Sequence, residues 1–415
     1  MTTIGRRSFV FLVLRLIAAL LGYVGFLFLT KYLGTTGYGQ LALVMSLVAT
    51  FNCLSDLGFS SAHIRKINEG KDLSDCVSTY ATVKVILTGV TIAITVSYLL
   101  IWPALTGAVI DSTTSQLIIL FLLYTIFINL AGIPTGTFGA TLEAFKSQTA
   151  GLVEVSIRVP LIVIFMVGGS GVIAAGYAYV IAAIGVTLFS YFLLFRDRIK
   201  FVRPTLLRDY WRFSMPLALV SIIGTVGSNL PNLTLGYFFP YPLNTQYVAY
   251  YSGASFFLGV FALIGTAVAT MTFPSFSRLH VNGNMDEIRR VTCEAERYVS
   301  IIGMPITTVM VVLPTQTAAV MIGGNFGPSA EPLRWLALST MLVMLNQVHT
   351  SQILAVNRPD LSAKITVVSF VVLAITLFLL VPTTLFGAPW IGQAYLGAAV
   401  ATFLTTAVMF IVVRY

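Results

Sequence analysis

Five ionisable side chains stand inside long apolar runs of this sequence: Arg15, Asp56, Lys84, Glu154 and Arg158. A charge at the centre of a bilayer costs at least about 2.5–3.5 kcal/mol, so such residues face a partner or a wet cavity. At a rise of about 1.5 Å per residue, they reach similar depths from one membrane face, about 10 Å for Arg15, roughly 9 Å for Asp56, about 12 Å for Lys84 and about 13 Å for Arg158. Glu154 and Arg158 are spaced to share one helix face. Three cations and two acids at one depth make a net cationic site that would attract an anionic head group such as a lipid pyrophosphate. Arg offers a planar fork for its oxygens and Lys a point charge. Arg15, Lys84 and Arg158 are therefore the candidate substrate-binding residues. A structural reading stands beside this one. It has ion pairs Arg15–Asp56 and Glu154–Arg158, with Lys84 snorkelling toward the interface. Asp56 and Glu154 are candidates for ion coupling or for ion pairing.

The second half of the chain is polar but uncharged within its apolar runs. Ser228, Asn229, Pro231 and Asn232 form one group; Asn346, Gln347, His349 and Gln352 form another. Pro231 frees backbone carbonyls that can line a cavity or bind an ion, which makes Asn232 a further ion-coupling candidate. The alternative is hydrogen bonding between helices. Tyr237, Tyr241, Tyr247, Tyr250 and Tyr251 gather near one membrane face, as an interfacial aromatic belt or as stacking platforms for sugars. The three cysteines, Cys53, Cys76 and Cys293, show neither metal-ligand spacing nor a disulfide framework. No metal and no cofactor are expected, and no nucleotide-binding loop is present.

These residues require elements that cross lipid. The chain has 415 residues, 57% of them hydrophobic and only 9% charged, with a mean hydropathy of +0.91. Soluble domains carry roughly 25% charged residues. In lipid every backbone polar group must be paired internally, so helices or closed barrels are the choices. The apolar runs are continuous over about twenty residues, the length of a helix spanning a hydrocarbon core of about 30 Å. The expected fold is an all-α membrane protein with about twelve spans, at 8–30, 40–62, 76–100, 116–141, 149–168, 172–195, 213–237, 248–276, 299–321, 331–356, 364–386 and 391–413. The divisions at Gly168–Gly171 and around Gly387–Pro389 separate the closest pairs. The stretch from Asp286 to Glu296 reads as a solvated amphipathic connector.

Nineteen of the 24 Lys and Arg residues fall on one side of this topology, including the run Arg196, Arg198, Lys200, Arg203, Arg208 and Arg212. The positive-inside rule puts that side, with both termini, in the cytoplasm of a cell enclosed by this plasma membrane. This accounts for the net charge of +9 without nucleic acid. The longest basic linker divides the chain into an N-terminal lobe, residues 1–200, and a C-terminal lobe, residues 201–415. Both lobes start inside, so any repeat between them is parallel, around a central cavity. Leu33-Gly34 against Leu235-Gly236 is one weak echo of such a repeat; Ala355-Val356-Asn357-Arg358 against Ala144-Phe145-Lys146 is another.

Several stretches carry a resemblance. They are Lys31-Tyr32-Leu33-Gly34-Thr35-Thr36-Gly37-Tyr38-Gly39, Asp56-Leu57-Gly58-Phe59 with Arg65 downstream, and Tyr210-Trp211-Arg212-Phe213-Ser214-Met215-Pro216-Leu217. Tyr250-Tyr251-Ser252-Gly253-Ala254, Pro274-Ser275-Phe276-Ser277-Arg278 and Gly324-Asn325-Phe326-Gly327-Pro328-Ser329-Ala330 follow in the same order. In order and spacing the chain resembles the polysaccharide and lipid-linked oligosaccharide flippases of the multidrug/oligosaccharidyl-lipid/polysaccharide exporter superfamily. The resemblance implies a transporter, not an enzyme, that moves a polyprenyl-linked saccharide by alternating access, driven by a proton or sodium gradient or by substrate removal. Its partners would be the lipid bilayer and an anionic lipid-linked substrate. Where many relatives carry an acid in the seventh helix, this chain has Asn232. A multidrug or cation exporter of the same superfamily would favour an acidic cavity, which the cationic excess opposes. A membrane glycosyltransferase would need catalytic acids near a membrane face, and Asp111 is the only carboxylate in the outer loops before Glu331.

Overall fold

The computed structural model describes residues 3–106, 111–141, 143–197, 199–356, 358–385 and 388–414. Arg198, Asn357 and Gly387, used in the sequence reading, lie outside them. The described chain is helical almost throughout. In order come α1 (Thr3–Asn52), α2 (Phe59–Asn68), α3 (Leu73–Thr106), α4 (Ser112–Ala140), α5 (Ala144–Val167), α6 (Gly171–Arg196), α7 (Leu207–Phe238), α8 (Leu243–Val281), α9 (Met285–Val312), α10 (Pro314–Met321), α11 (Ala330–Ala355), α12 (Pro359–Leu380) and α13 (Ala394–Val412). Short 3-10 turns cover Cys53–Ser55 and Gly324–Ser329. A two-residue antiparallel pair, β1 (Thr384–Leu385) with β2 (Ala388–Pro389), joins α12 to α13.

Ten helical stretches among the described residues are long and apolar enough to cross a membrane. The chain is a multi-pass membrane protein. The first stretch, Val13–Ser55, runs for 43 residues, about twice the length one crossing needs. It is interrupted at Gly34, whose φ of 65° and ψ of −169° depart from the helix. Only glycine takes that backbone without cost, so the turn expected between the first two spans is a sharp kink rather than a loop.

Three boundaries differ from the sequence reading. The second expected span, 40–62, is broken: α1 stops at Asn52, a 3-10 turn follows, and α2 starts only at Phe59. The amphipathic connector at 286–296 is the first part of α9, capped by the Asn284 side chain, which accepts from the Glu287 amide at 3.2 Å. That cap satisfies an orphan donor, and an apolar stripe of Ile288, Ala295 and Val299 buries the helix against its neighbours. The expected ninth span breaks at Leu313, where Pro314 starts α10, because proline has no amide for the preceding turn.

Two compact units emerge. The first holds Met1–Leu33 and Val44–Asn229; the second holds Gly34–Leu43 and Leu230–Tyr415. The chain thus passes from one unit to the other at three places, and the last falls inside α7. The basic linker belongs wholly to the first unit. There the Thr205 amide donates to Asp75 at 2.9 Å and the Val202 amide to Ser78 Oγ at 2.7 Å, which fastens the linker to α3.

Inside the first unit α6 packs on α4 and α5. Its contact face is built from Ala175, Gly176, Ala178, Ala182 and Ala183. Small residues let helix backbones approach where lipid supplies no hydrophobic drive. In the second unit α11 is the hub, packed on α8, α9 and α13. Its Met341, Met344, Leu345 and Val348 meet Phe276 of α8 and Val299 of α9 in one cluster.

Candidate functional site

The break between α1 and α2 places the chemistry. After the 3-10 turn, Leu57 takes a φ of 44° and Gly58 a φ of 81°. A left-handed conformation at a leucine costs of order 1–3 kcal/mol and persists where its surroundings over-determine it. At Gly58 an added Cβ would come within 2.8 Å of Leu217 Cβ, so this glycine also allows α7 to approach. The chain resumes helix with the Phe59 amide donating to the Asp56 carbonyl at 2.8 Å. The Asp56 side chain is left at the break.

Three groups converge on the Asp56 carboxylate. Ser60, a turn on in α2, donates a short hydrogen bond to it. Lys84 Nζ lies 3.3 Å away and the Tyr80 hydroxyl 3.5 Å, both from α3, one turn apart. Ser60 and Tyr80 are themselves 2.9 Å apart. Lys84 is deeply buried, with 8% of its side chain exposed, whereas Asp56 keeps 29%. Asp56 is its one hydrogen-bonding partner among the described residues. An ammonium has three donors, so two are left for water or a ligand.

Around this pair is a polar frame. Asn129 of α4 donates to Asn52 at 2.9 Å and accepts from Ser55 at 3.2 Å, which braces the end of α1. His63, fully buried in α2, stacks on the Tyr80 ring with centroids 4.4 Å apart. Its Nδ1 meets the Tyr210 hydroxyl at 3.0 Å and its Nε2 the Thr137 hydroxyl at 2.9 Å. His63 lies past the expected second span. Burial pushes its imidazole down to about 4, so it is neutral at physiological pH.

The sequence-derived residues divide. The structure brings together Asp56 and Lys84; the expected partner of Asp56, Arg15, is elsewhere. Arg15 is exposed on α1 and has no ion pair among the described residues. The reason is the break, whose 3-10 turn packs against α3 and presents Asp56 to Lys84. Glu154 and Arg158 do pair, at 2.7 Å and 3.4 Å through two donors. A third donor of Arg158 reaches the Tyr179 hydroxyl at 3.1 Å, and the guanidinium sits 4.7 Å from that ring's centroid. Its fork is already engaged, tying α5 to α6. Asn232 of α7 accepts from Ser252 of α8 at 2.9 Å.

Sequence reasoning passed over Ser60, Tyr80, His63 and Asn129. The first two were visible as residues four positions from Asp56 and Lys84, on the same helix faces. It also passed over Glu296, which accepts from His349 at 2.8 Å and from Arg414; these residues are remote in sequence. No cluster of metal-ligating side chains occurs among the described residues.

The family model for polysaccharide biosynthesis proteins matches residues 4–280. The chain belongs to that family. A probable flippase, AglR of Haloferax volcanii, is 24% identical over 396 residues, covering 91% of this chain and 76% of its own. Among solved structures, the inward closed conformation of the lipid II flippase MurJ matches with a TM-score of 0.74 at 13% identity, over 98% of this chain and 86% of that one. An inward-facing multidrug resistance MATE transporter of the MOP superfamily matches with a TM-score of 0.73 at 17% identity, over 96% and 94%. A MOP superfamily transporter from Pyrococcus furiosus, described as having a binding pocket of reverse polarity, matches with a TM-score of 0.66 at 17% identity, over 99% and 94%. The fold of this family member is that of a MOP transporter.

Proposed function

We propose that this chain is a flippase that moves a polyprenyl-linked oligosaccharide or polysaccharide repeat unit across the cytoplasmic membrane by alternating access. Family membership and the similarity to a probable flippase support the class. The observation that carries the substrate chemistry is unspent cationic capacity in the first unit. Arg15 is an exposed cation of the first helix without an acidic partner among the described residues, and the Lys84 ammonium has a single bond. An anionic head group crossing a low-dielectric path needs such donors, because an unpaired charge in lipid is costly. Arg158 acts from behind, holding α5 and α6.

In this reading the chain has twelve spans in two six-helix lobes, with both termini cytoplasmic. The 43-residue stretch counts as two crossings, and α11, at 26 residues, adds the last. The protein is a transporter and performs no covalent chemistry. Asp56 and Glu154 are each paired with a cation, at 3.3 Å and 2.7 Å, which counts against a site for a cationic drug at either.

The test is export in cells lacking the native gene. Complementation with wild type should restore glycan at the surface. Arg15→Gln with Lys84→Gln should reduce export per molecule of inserted protein at least tenfold, with lipid-linked saccharide accumulating in the cytoplasmic leaflet. Full export by that double variant would overturn the cationic reading.

A further inference from the structure

The second unit carries an interlocked set of aromatic rings at the ends of three elements, and neither the charged residues nor the helix packing accounts for it. Tyr247 and Tyr250 lie on one face of the first turns of α8. Tyr395 lies in the first turn of α13. The Tyr395 centroid is 5.2 Å from Tyr247 and 5.2 Å from Tyr250. Phe239 meets Tyr247 edge-on at 4.9 Å. Tyr250 stands perpendicular to Phe326 at 6.5 Å, and Phe326, fully buried, is the floor.

An interfacial belt would show single rings turned out to lipid. Tyr237 and Tyr241 are turned out in this way, at 69% and 60% exposed, although Tyr237 also meets Phe238 edge-on. The three clustered tyrosines are half-buried and meet one another in tilted or edge-on contacts. The hydroxyls of Tyr247 and Tyr395 have no hydrogen-bond partner among the described residues. The Glu331 carboxylate, at the start of α11, lies within electrostatic reach of Tyr395. Glu331 is 52% exposed and bonded once, by Arg334 at 3.3 Å.

Clustered aromatic rings, unspent phenol hydroxyls and a nearby carboxylate suit one ligand class. A pyranose has an apolar C–H face that packs on an aromatic ring and an edge of hydroxyls that both donate and accept. Tyrosine supplies a large rigid contact area with a polar tip at low entropic cost. We propose that Tyr247, Tyr250 and Tyr395, with Glu331 at the rim, form a binding site for a neutral sugar ring on the face opposite the basic loops. This rests on the flippase reading and its orientation, and it gives the sugar a landing place on the release side, distinct from the cations that take the anionic group.

The test uses the full chain in lipid nanodiscs and saturation-transfer NMR with free maltotriose, cellotriose and N-acetylchitotriose. These carry no lipid and no phosphate, so they address the sugar site alone. At least one should receive saturation at its ring C–H protons, reduced at least fivefold in Tyr247→Ala with Tyr395→Ala. Tyr237→Ala with Tyr241→Ala should leave the transfer unchanged. Tyr395→Phe, which keeps the ring, should lose part of the transfer and guards against a misfolded alanine variant. Absence of transfer from all three sugars, or transfer unchanged in the alanine and phenylalanine variants, would overturn the site. The flippase reading has its own readout. If glycan export needs the gene but the sugar variants export normally, the release site fails alone; if export does not need the gene, the flippase reading fails whatever the NMR shows.

Discussion

Lys84 and Asp56 meet where a membrane helix is broken, and each depends on the other. Removing one partner of a buried ion pair leaves an uncompensated charge at a cost of about 3–5 kcal/mol, whereas removing both can be nearly neutral. Lys84→Gln and Asp56→Asn should each lower membrane-inserted protein, and the double variant should recover most of it. A double-mutant cycle on thermal stability would show a coupling energy well above about 0.5 kcal/mol; strict additivity would remove the pair. Recovered level with absent export would leave the pair a role in transport beyond holding the fold. His63 gives a pH signature. Its folded value is about 4 against about 6.5 when unfolded, so the unfolded state binds more protons between them. Stability from this residue is complete above pH 6.5 and is lost as pH falls toward 4, by about 3 kcal/mol. Melting temperatures of the wild type should fall between pH 7 and pH 5, and His63→Gln should show a shallower slope; equal slopes would place the pH dependence elsewhere. That Asp56 and Lys84 are ionisable residues within apolar runs was legible in the sequence. Their pairing was not, because it depends on six residues, 53–58, leaving the α-helix, and the sequence reading assumed a straight span.

At the scale of elements, the break between α1 and α2 is held by Gly58 and by the Asn52–Asn129–Ser55 hydrogen bonds. Gly58→Ala meets two penalties, a φ of 81° and a contact of 2.8 Å with Leu217. It should destabilise by roughly 1–3 kcal/mol, seen as lower yield and lower melting temperature. Leu217→Gly, which removes the Cβ in contact, should partly relieve it beyond its own cost of about 1 kcal/mol as a helix glycine; if it does not, the strain is in the backbone alone. The Asp-Leu-Gly segment was visible in the sequence as a resemblance, but its physical content is this turn. The tight separation of α5 from α6 at Gly168–Gly171 was legible from glycine density, and the structure keeps it. The helical start of α9 was misread because charged residues dominate it, although the spacing of Ile288, Ala295 and Val299 held the answer.

For the whole molecule, hydropathy and charge alternation were enough to establish a helical membrane protein. The topology proposed above is read from the same signal. Reporter fusions after Arg208 and after Arg358 should both report the cytoplasm, and an outside signal at either would reverse the orientation. How the chain is shared between its two units was not legible, because the basic linker has the composition of a hinge while Asp75 and Ser78 fasten it to α3.

That sharing bears on how such a chain can be cut. A cut in the basic linker looks safe from composition, yet one placed before Thr205 would separate it from Asp75 and would leave residues 207–229, part of the first unit, on the other fragment. The second unit is not a contiguous stretch of polypeptide, since it takes Gly34–Leu43 from within the first. Neither half ending near residue 200 is therefore a complete module. Two fragments expressed separately would each lack a piece that the other holds, and would regain it only by reassembling together. An isolated half of the chain, cut near residue 200, would therefore be expected to be unstable, because it lacks a piece of its own unit.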